Sequence, residues 1–295
     1  MKRLFVVGAF ALAACSGDIL SPLAPGVDDT GILVGAGDIG VCGSSGALAT
    51  GRLLDNERGT IFVAGDIAYP DGTADQFQQC YDPAWGRHKA RTRPAPGNHE
   101  YGSPGAAPYF AYFGSNAGPS GRGYYSYRNS EWKVFSLNSN TEGGERSMQI
   151  DWLRRELIPQ DAVCTVAYFH HPHASSGPHG VLPTMAVVRD FWRELYAAGA
   201  DVVISAHEHL YERFTPQTPD AVANPRYGLR QFIVGTGGAP LSPVVQRAPN
   251  SEVVISAFGV LRLTLELQSY RWEFVSAETG AVLDAGIGQC HGPPV

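Results

Sequence analysis

Five polar clusters in this 295-residue chain each follow a short apolar run. Gly37-Asp38 follows GILVGA, and Gly65-Asp66 follows TIFVA. Gly97-Asn98-His99-Glu100 follows Arg93–Pro96, a shorter and less apolar segment. His170-His171 ends AVCTVAYF, and His207-Glu208-His209 comes just after DVVIS. Carboxylates and an amide mixed with imidazoles suit Fe, Mn or Zn better than Ca or Mg. Such ions acidify water and polarise the oxygens of a substrate. Each residue alone has an ordinary reading. An Asp after a strand caps the next helix, and an Asn before a His forms a turn. A lone His, such as His88 or His291, is more often a satisfied surface or core group. Recurrence of one pattern at five run ends argues for a shared rim.

Other chemistries find less support. Gly35-Ala36-Gly37-Asp38-Ile39-Gly40 fits GxGxxG after a strand. Asp38 would then sit inside the glycine turn and repel a pyrophosphate. No P-loop and no GxSxG elbow occurs in the chain. His207 and His209 are spaced i, i+2, not as the pair of a helical HExxH zinc site.

The elements that must hold these residues follow from the pattern. Short runs rich in Val and Ile read as buried strands. They are residues 31–36, 60–64, 93–96, 162–169, 201–205 and 231–234. Helical periodicity covers 47–57, 148–157 and 184–198. Alternation of the two predicts an α/β fold. Asp38 and Asp66 are about one βαβ unit apart, ~30 residues. Ligands of open α/β sheets bind beyond the carboxyl ends of strands, so distant clusters can converge there. Residues 123–127, 132–137, 258–266 and 270–275 read as further, partly antiparallel strands. Leu261, Leu263, Leu265 and Leu267 alternate with polar neighbours, as in a half-buried strand. The simplest architecture is one domain, 31–295, with two packed sheets and outer helices.

Composition narrows the class. The chain has 22 Lys+Arg against 28 Asp+Glu, a net charge of −6, and no basic run. That argues against nucleic acid as a partner. An apolar content of 44% is enough for a full core. Met1-Lys2-Arg3 and the apolar run Leu4–Ala14 read as a signal peptide, too short to span a bilayer. Leu12-Ala13-Ala14-Cys15 resembles a bacterial lipobox. The expectation is a lipoprotein signal over 1–14, a lipid on Cys15, a tether over 15–30, and an exported protein held to the bacterial cell envelope. Cys42, Cys80, Cys164 and Cys290 remain, and none forms CxxC. Outside the cytoplasm disulfides persist. Four cysteines allow three pairings. Cys42–Cys80, joining neighbouring loops, and Cys164–Cys290, tying the tail to a core strand, are favoured.

The ordered motifs resemble those of the calcineurin-like metallophosphoesterases: Gly37-Asp38-Ile39-Gly40, Gly65-Asp66-Ile67-Ala68-Tyr69, Gly97-Asn98-His99-Glu100, Val166–His170 and Ala206-His207-Glu208-His209. Tyr69 narrows the resemblance to purple acid phosphatases of the short bacterial type. The resemblance implies a four-layer α/β/β/α sandwich of two mixed sheets flanked by helices. It implies an iron-containing dinuclear centre. Asp38, Tyr69 and His209 would bind Fe(III). Asn98, His170 and His207 would bind a divalent Fe, Zn or Mn, and Asp66 would bridge. His99 and His179 match positions near the substrate. His171 and His173 either line the phosphate pocket or stand on an exposed loop. Two carboxylates and a phenolate against five positive charges leave about +2, suited to a phosphate dianion. The implied activity is hydrolysis of small phosphomonoesters by a metal-activated hydroxide, with His179 or His99 protonating the leaving alkoxide. Competing readings are a phosphodiesterase acting on nucleotides or lipid head groups, and a non-catalytic lipoprotein that binds metal or phosphate.

Overall fold

The computed structural model describes residues 30–158, 162, 164–180 and 186–294. The expected signal peptide, the expected lipid site at Cys15 and nearly all of the expected tether lie outside the described residues.

The parallel core starts with β1 (Ile32–Ala36) and β2 (Thr60–Ala64). Both are short, apolar and buried almost throughout. That is the composition of a strand covered on both faces. Between them the helix Ser45–Leu54 begins at Ser44, whose side chain accepts from the Ala47 amide. This N-cap satisfies one of the unpaired amides of the first turn. β3 (Thr92–Ala95) adds beside β2 in parallel. On the other side β11 (Gly259–Leu265), β12 (Ser269–Ser276) and β13 (Val282–Gln289) attach as an antiparallel meander. The resulting six-stranded order is β13-β12-β11-β1-β2-β3. β11 buries Leu261, Leu263 and Leu265 on one face, as their alternation requires. It ends there: Leu267 lies in the turn to β12 and is 63% exposed, contrary to the alternation read from sequence.

The second sheet has seven strands: β4 (Tyr125–Asn129), β5 (Trp132–Ser136), β6 (Cys164–Tyr168), β7 (Val202–Ser205), β8 (Tyr211–Phe214), β9 (Arg230–Val234) and β10 (Ser251–Ile255). Their order is β10-β8-β9-β7-β6-β5-β4, with β5, β6, β7 and β9 parallel. The sheets pack face to face through aromatic rings. Phe62 meets Tyr168 at 5.8 Å, Phe232 meets Trp272 at 5.7 Å, and Tyr211 stacks on Phe274 at 4.1 Å. Helices Gly143–Leu157 and Ala186–Ala197 cover the far face of the seven-stranded sheet through Leu153, Val188, Phe191 and Leu195. The helix Ser45–Leu54 covers the six-stranded sheet, and Thr50 accepts from the indole of Trp85 at 3.0 Å. The architecture is therefore two mixed sheets between layers of helix, as the resemblance implied. Among the described residues no helix is long and apolar enough to cross a membrane.

Both favoured disulfides are formed. Cys42–Cys80 joins the loop after β1 to the helical segment after β2. Cys164–Cys290 ties the end of β13 to the start of β6 and so links the two sheets. Asp201 lies beside this link, accepting from the amides of Thr165 and His291, each at 2.8 Å.

Candidate metal centre

The carboxyl ends of the parallel strands of both sheets open on one rim. Asp38 follows β1, Asp66 follows β2, Asn98 follows β3, His170 follows β6, and His207 follows β7. Three of these residues hold left-handed backbone: Asp38 at φ 57°, Asp66 at 51° and His207 at 67°. Asp and His are among the few side chains that tolerate this region. Each such residue costs on the order of 1–3 kcal/mol and persists where its surroundings hold it. Here the loops hold one another. The Asp38 amide donates to Gly65 O at 3.1 Å, and the Ile39 amide donates to Asp66 O at 2.9 Å. The Gly37 amide reaches Val234 O in the other sheet at 2.8 Å.

Two sets of donor atoms converge, and Asp66 belongs to both. In one set Tyr69 donates its hydroxyl to Asp38 Oδ1 at 2.8 Å, and His209 Nε2 lies 3.4 Å from that oxygen. Tyr69 Oη and His209 Nε2 are 3.5 Å apart. In the other set His170 Nε2 lies 3.0 Å from both Asn98 Oδ1 and His207 Nδ1. Asp66 Oδ2 is 3.2 Å from Tyr69 Oη and 3.1 Å from His170 Nε2. All seven residues singled out by motif thus come together. Among the described residues Asp38, Asp66 and His170 form one group of potential ligands, and His170 and His207 form another together with His171, which is not one of the seven.

The donor chemistry fits metal ions. His170 Nδ1 faces the Ala64 carbonyl at 2.9 Å, and His209 Nδ1 faces the Pro240 carbonyl at 2.8 Å. Each ring therefore directs its proton outward and its Nε2 inward, as metal-binding histidines do. The other oxygens of the two aspartates are occupied by amides. His207 N donates to Asp38 Oδ2 at 2.8 Å, and His99 N donates to Asp66 Oδ1 at 3.0 Å. What remains is a crowd of inward nitrogen and oxygen atoms around the two carboxylates, which draws in positive charge, whether protons on the rings or a metal cation. Burial opposes a charge on His170, but Asp66 overrides it and the pKa is pushed up to about 9. The same contest between burial and Asp38 brings His209 to about 9. Burial, and then the Asp38 and Asp66 carboxylates, lift the Tyr69 phenol well above its usual value.

Glu100 builds the site without entering either set. It is fully buried and accepts from four amides: Asp66 at 3.0 Å, Ile67 at 2.8 Å, Ala68 at 3.2 Å and Gly97 at 2.7 Å. It thereby clamps the Asp66 loop to the Asn98 loop. Gly97 permits the contact, since a Cβ there would come within 2.1 Å of Asp66 Oδ1. Burial and the Asp66 charge push the Glu100 pKa up to about 7 against the pull of these amides.

The remaining histidines separate. His99 lies against the Tyr69 ring at 4.3 Å, and its Nε2 is 3.7 Å from Asp66 Oδ2. His179 lies over the His207 ring at 4.2 Å and is half exposed. His171 joins the cluster and meets Ser139 Oγ through Nδ1 at 2.8 Å. Burial, with the neighbouring His170 and His179, depresses the His171 pKa to about 2. His173 stands neither in a phosphate pocket nor on an exposed loop. It is buried and stacked on Trp192 at 4.1 Å. Glu100 and Glu208 lie within the sequence motifs, which by themselves assign them no role. The available signal was an acidic residue placed next to proposed ligands.

Comparison with known proteins gives these paired sheets and their rim a family. The chain belongs to the calcineurin-like phosphoesterase family, whose model matches residues 34–211. It is similar to purple acid phosphatase 18 of Arabidopsis thaliana, with 28% identity over 60% of this chain and 43% of that protein. It thus spans less than half the length of that relative. The fold matches the purple acid phosphatase PPD1 of yellow lupin (Lupinus luteus) with a TM-score of 0.76 and 19% identity, covering 88% of this chain and 53% of PPD1. It also matches GAP50, the anchor in the inner membrane complex of Plasmodium, with a TM-score of 0.67 and 14% identity over 89% of both chains.

Proposed function

We propose that this protein is an exported phosphatase that hydrolyses small phosphomonoesters at a dinuclear Fe(III)–M(II) centre. The observation that carries the reading is the division of six donors into two sets sharing Asp66 Oδ2. Asp38, Tyr69 and His209 would hold Fe(III). Asn98, His170 and His207 would hold a divalent Fe, Zn or Mn. Such a pair supplies Lewis acidity toward a phosphoryl oxygen and an acidified water as nucleophile. The chain's own contribution is positional. Outward carbonyls fix the His170 and His209 rings, and Glu100 fixes the spacing of the Asp66 and Asn98 loops. His99 and His179 stand beside the two sets, where they would face a bound ester. From there they would bind its oxygens and protonate the leaving alkoxide. The fold alone does not choose this role, because GAP50 shares it as an anchor. The donor set does.

Two disulfides suit an exported protein. Anchoring through a lipid on Cys15 is part of the same proposal.

The decisive experiment combines metal analysis, visible spectroscopy and paired assays on a chromogenic monoester and diester. The expected result is two metals per chain including iron, a phenolate-to-iron absorption band, and preference for the monoester. Two Zn or Mn and no colour would overturn the iron assignment. Preference for the diester would make the protein a phosphodiesterase. An Asp66→Asn variant equal to wild type in phosphate release would return it to a binding role.

A further inference from the structure

Glu208 lies between two proposed ligands, yet its carboxylate is spent on a different element. It is fully buried. Its Oε2 accepts from Ser175 Oγ at 3.0 Å, from the His179 amide at 3.0 Å and from His179 Nδ1 at 3.3 Å. Ser175 Oγ in turn accepts from the Gly177 amide at 2.9 Å. The loop must pass very close to reach this carboxylate. A Cβ at Gly177 would lie 2.1 Å from Glu208 Cδ. A second buried glutamate anchors the same loop. Glu212 accepts from the Ser176 amide at 2.9 Å and from its hydroxyl.

Burying a carboxylate is costly unless donors compensate it. Here the compensation falls on Oε2 and comes from the loop that carries His179, while Oε1 is buried without a hydrogen-bond partner. A half-exposed histidine ordinarily samples several rotamers and both neutral tautomers. A carboxylate on Nδ1 selects the Nδ1–H tautomer and one ring direction. The ring so fixed lies at 4.2 Å over that of His207, beside the donor set.

We propose that Glu208 is a positioning residue. It holds the His179 ring through Nδ1, leaving Nε2 to meet an oxygen of the bound ester. The proposal rests on the phosphatase reading for what Nε2 meets, but the ring's orientation is independent of it.

The test uses the full chain with imidazole ¹⁵N labelling and excess zinc, which is diamagnetic. Long-range ¹H–¹⁵N spectra, with His179 assigned from a His179→Asn variant, report its tautomer. The expected wild-type state is Nδ1–H. Glu208→Gln keeps an acceptor and should preserve that tautomer. Glu208→Ala should release it. In kinetics, Glu208→Ala should lower kcat on an alkyl phosphate ~10–100-fold with little change in KM, the size of effect known for outer-shell partners. It should lower kcat far less on an aryl phosphate with a good leaving group. In a His179→Ala background the same change should add nothing. An Nε2–H ring in the wild type would overturn the proposal, and so would equal losses with and without His179. Should Glu208→Ala fail to fold, the wild-type tautomer and Glu208→Gln still decide. An Nδ1–H ring in a chain that releases no phosphate would overturn the phosphatase reading and leave the positioning intact.

Discussion

The Tyr69 hydroxyl donates to Asp38 Oδ1 at 2.8 Å, joining residues that follow adjacent parallel strands. Asp66 Oδ2 lies 3.2 Å from the same hydroxyl. Burial and these two carboxylates hold the phenol protonated far beyond its usual range. Only a strong cation would draw the proton off, and Fe(III) is such a cation. Tyr69→Phe should therefore remove the visible band from iron-loaded protein. The fold should remain, because the ring's packing on His99 at 4.3 Å does not need the hydroxyl. An unchanged band would show that Tyr69 is not the chromophore.

Glu100 gives a stability prediction. Its two oxygens serve four buried amides in two loops. A buried donor left without a partner costs about 1–3 kcal/mol. Glu100→Ala should then lower unfolding free energy by at least ~3 kcal/mol in urea titrations. Metal affinity should fall with it, since the loops carrying Asp66 and Asn98 lose their clamp. A variant with wild-type stability and metal content would remove Glu100 from this role.

How far these relationships could be read from sequence depends on where each residue's partners lie. β1, β2, β6, β7 and β9 were legible because strands buried on both faces need unbroken apolar runs. β8, β10 and β13 were not. β13 reads VLDAGIGQ, with glycines where apolar residues would mark a strand. Its pairing relies on its neighbour instead. A Cβ at Gly286 or Gly288 would lie 2.2 Å from the ring of Trp272 or Tyr270, so those aromatic rings cover the glycines. The proposed ligands were legible because each follows a strand end in a recurring motif. Glu100 and Glu208 were visible as letters, but their work is to bond distant loops. His173 was misplaced for the same reason, since only the packed helix brings Trp192 to it.

The disulfides should contribute unequally. Cys42–Cys80 closes a separation of 38 residues, and Cys164–Cys290 closes one of 126. Loop-closure entropy gives about 4 and about 5 kcal/mol respectively. The second also couples the sheets, so its loss should loosen β13 first. Paired Cys→Ser variants followed by urea unfolding and amide exchange would test this. Equal destabilisation, or exchange unchanged in residues 282–289, would count against the coupling.

Asp201 predicts how stability follows pH near that second bridge. Its carboxylate is buried, and burial pushes its pKa up to about 7, against the amides of Thr165 and His291. The unfolded chain would titrate it near ~3.9. The folded state thus binds the proton more tightly. The stability this residue contributes is complete below about pH 4 and is lost as pH rises toward 7. Asp201→Asn removes the titration, although its amide cannot accept from both backbone donors and so the variant starts less stable. Urea titrations of both proteins at pH 4.5 and 7.5 should show wild type losing more stability than the variant between the two. A gap between the proteins that stays constant with pH would mean that Asp201 keeps its charge throughout, held by its two amides.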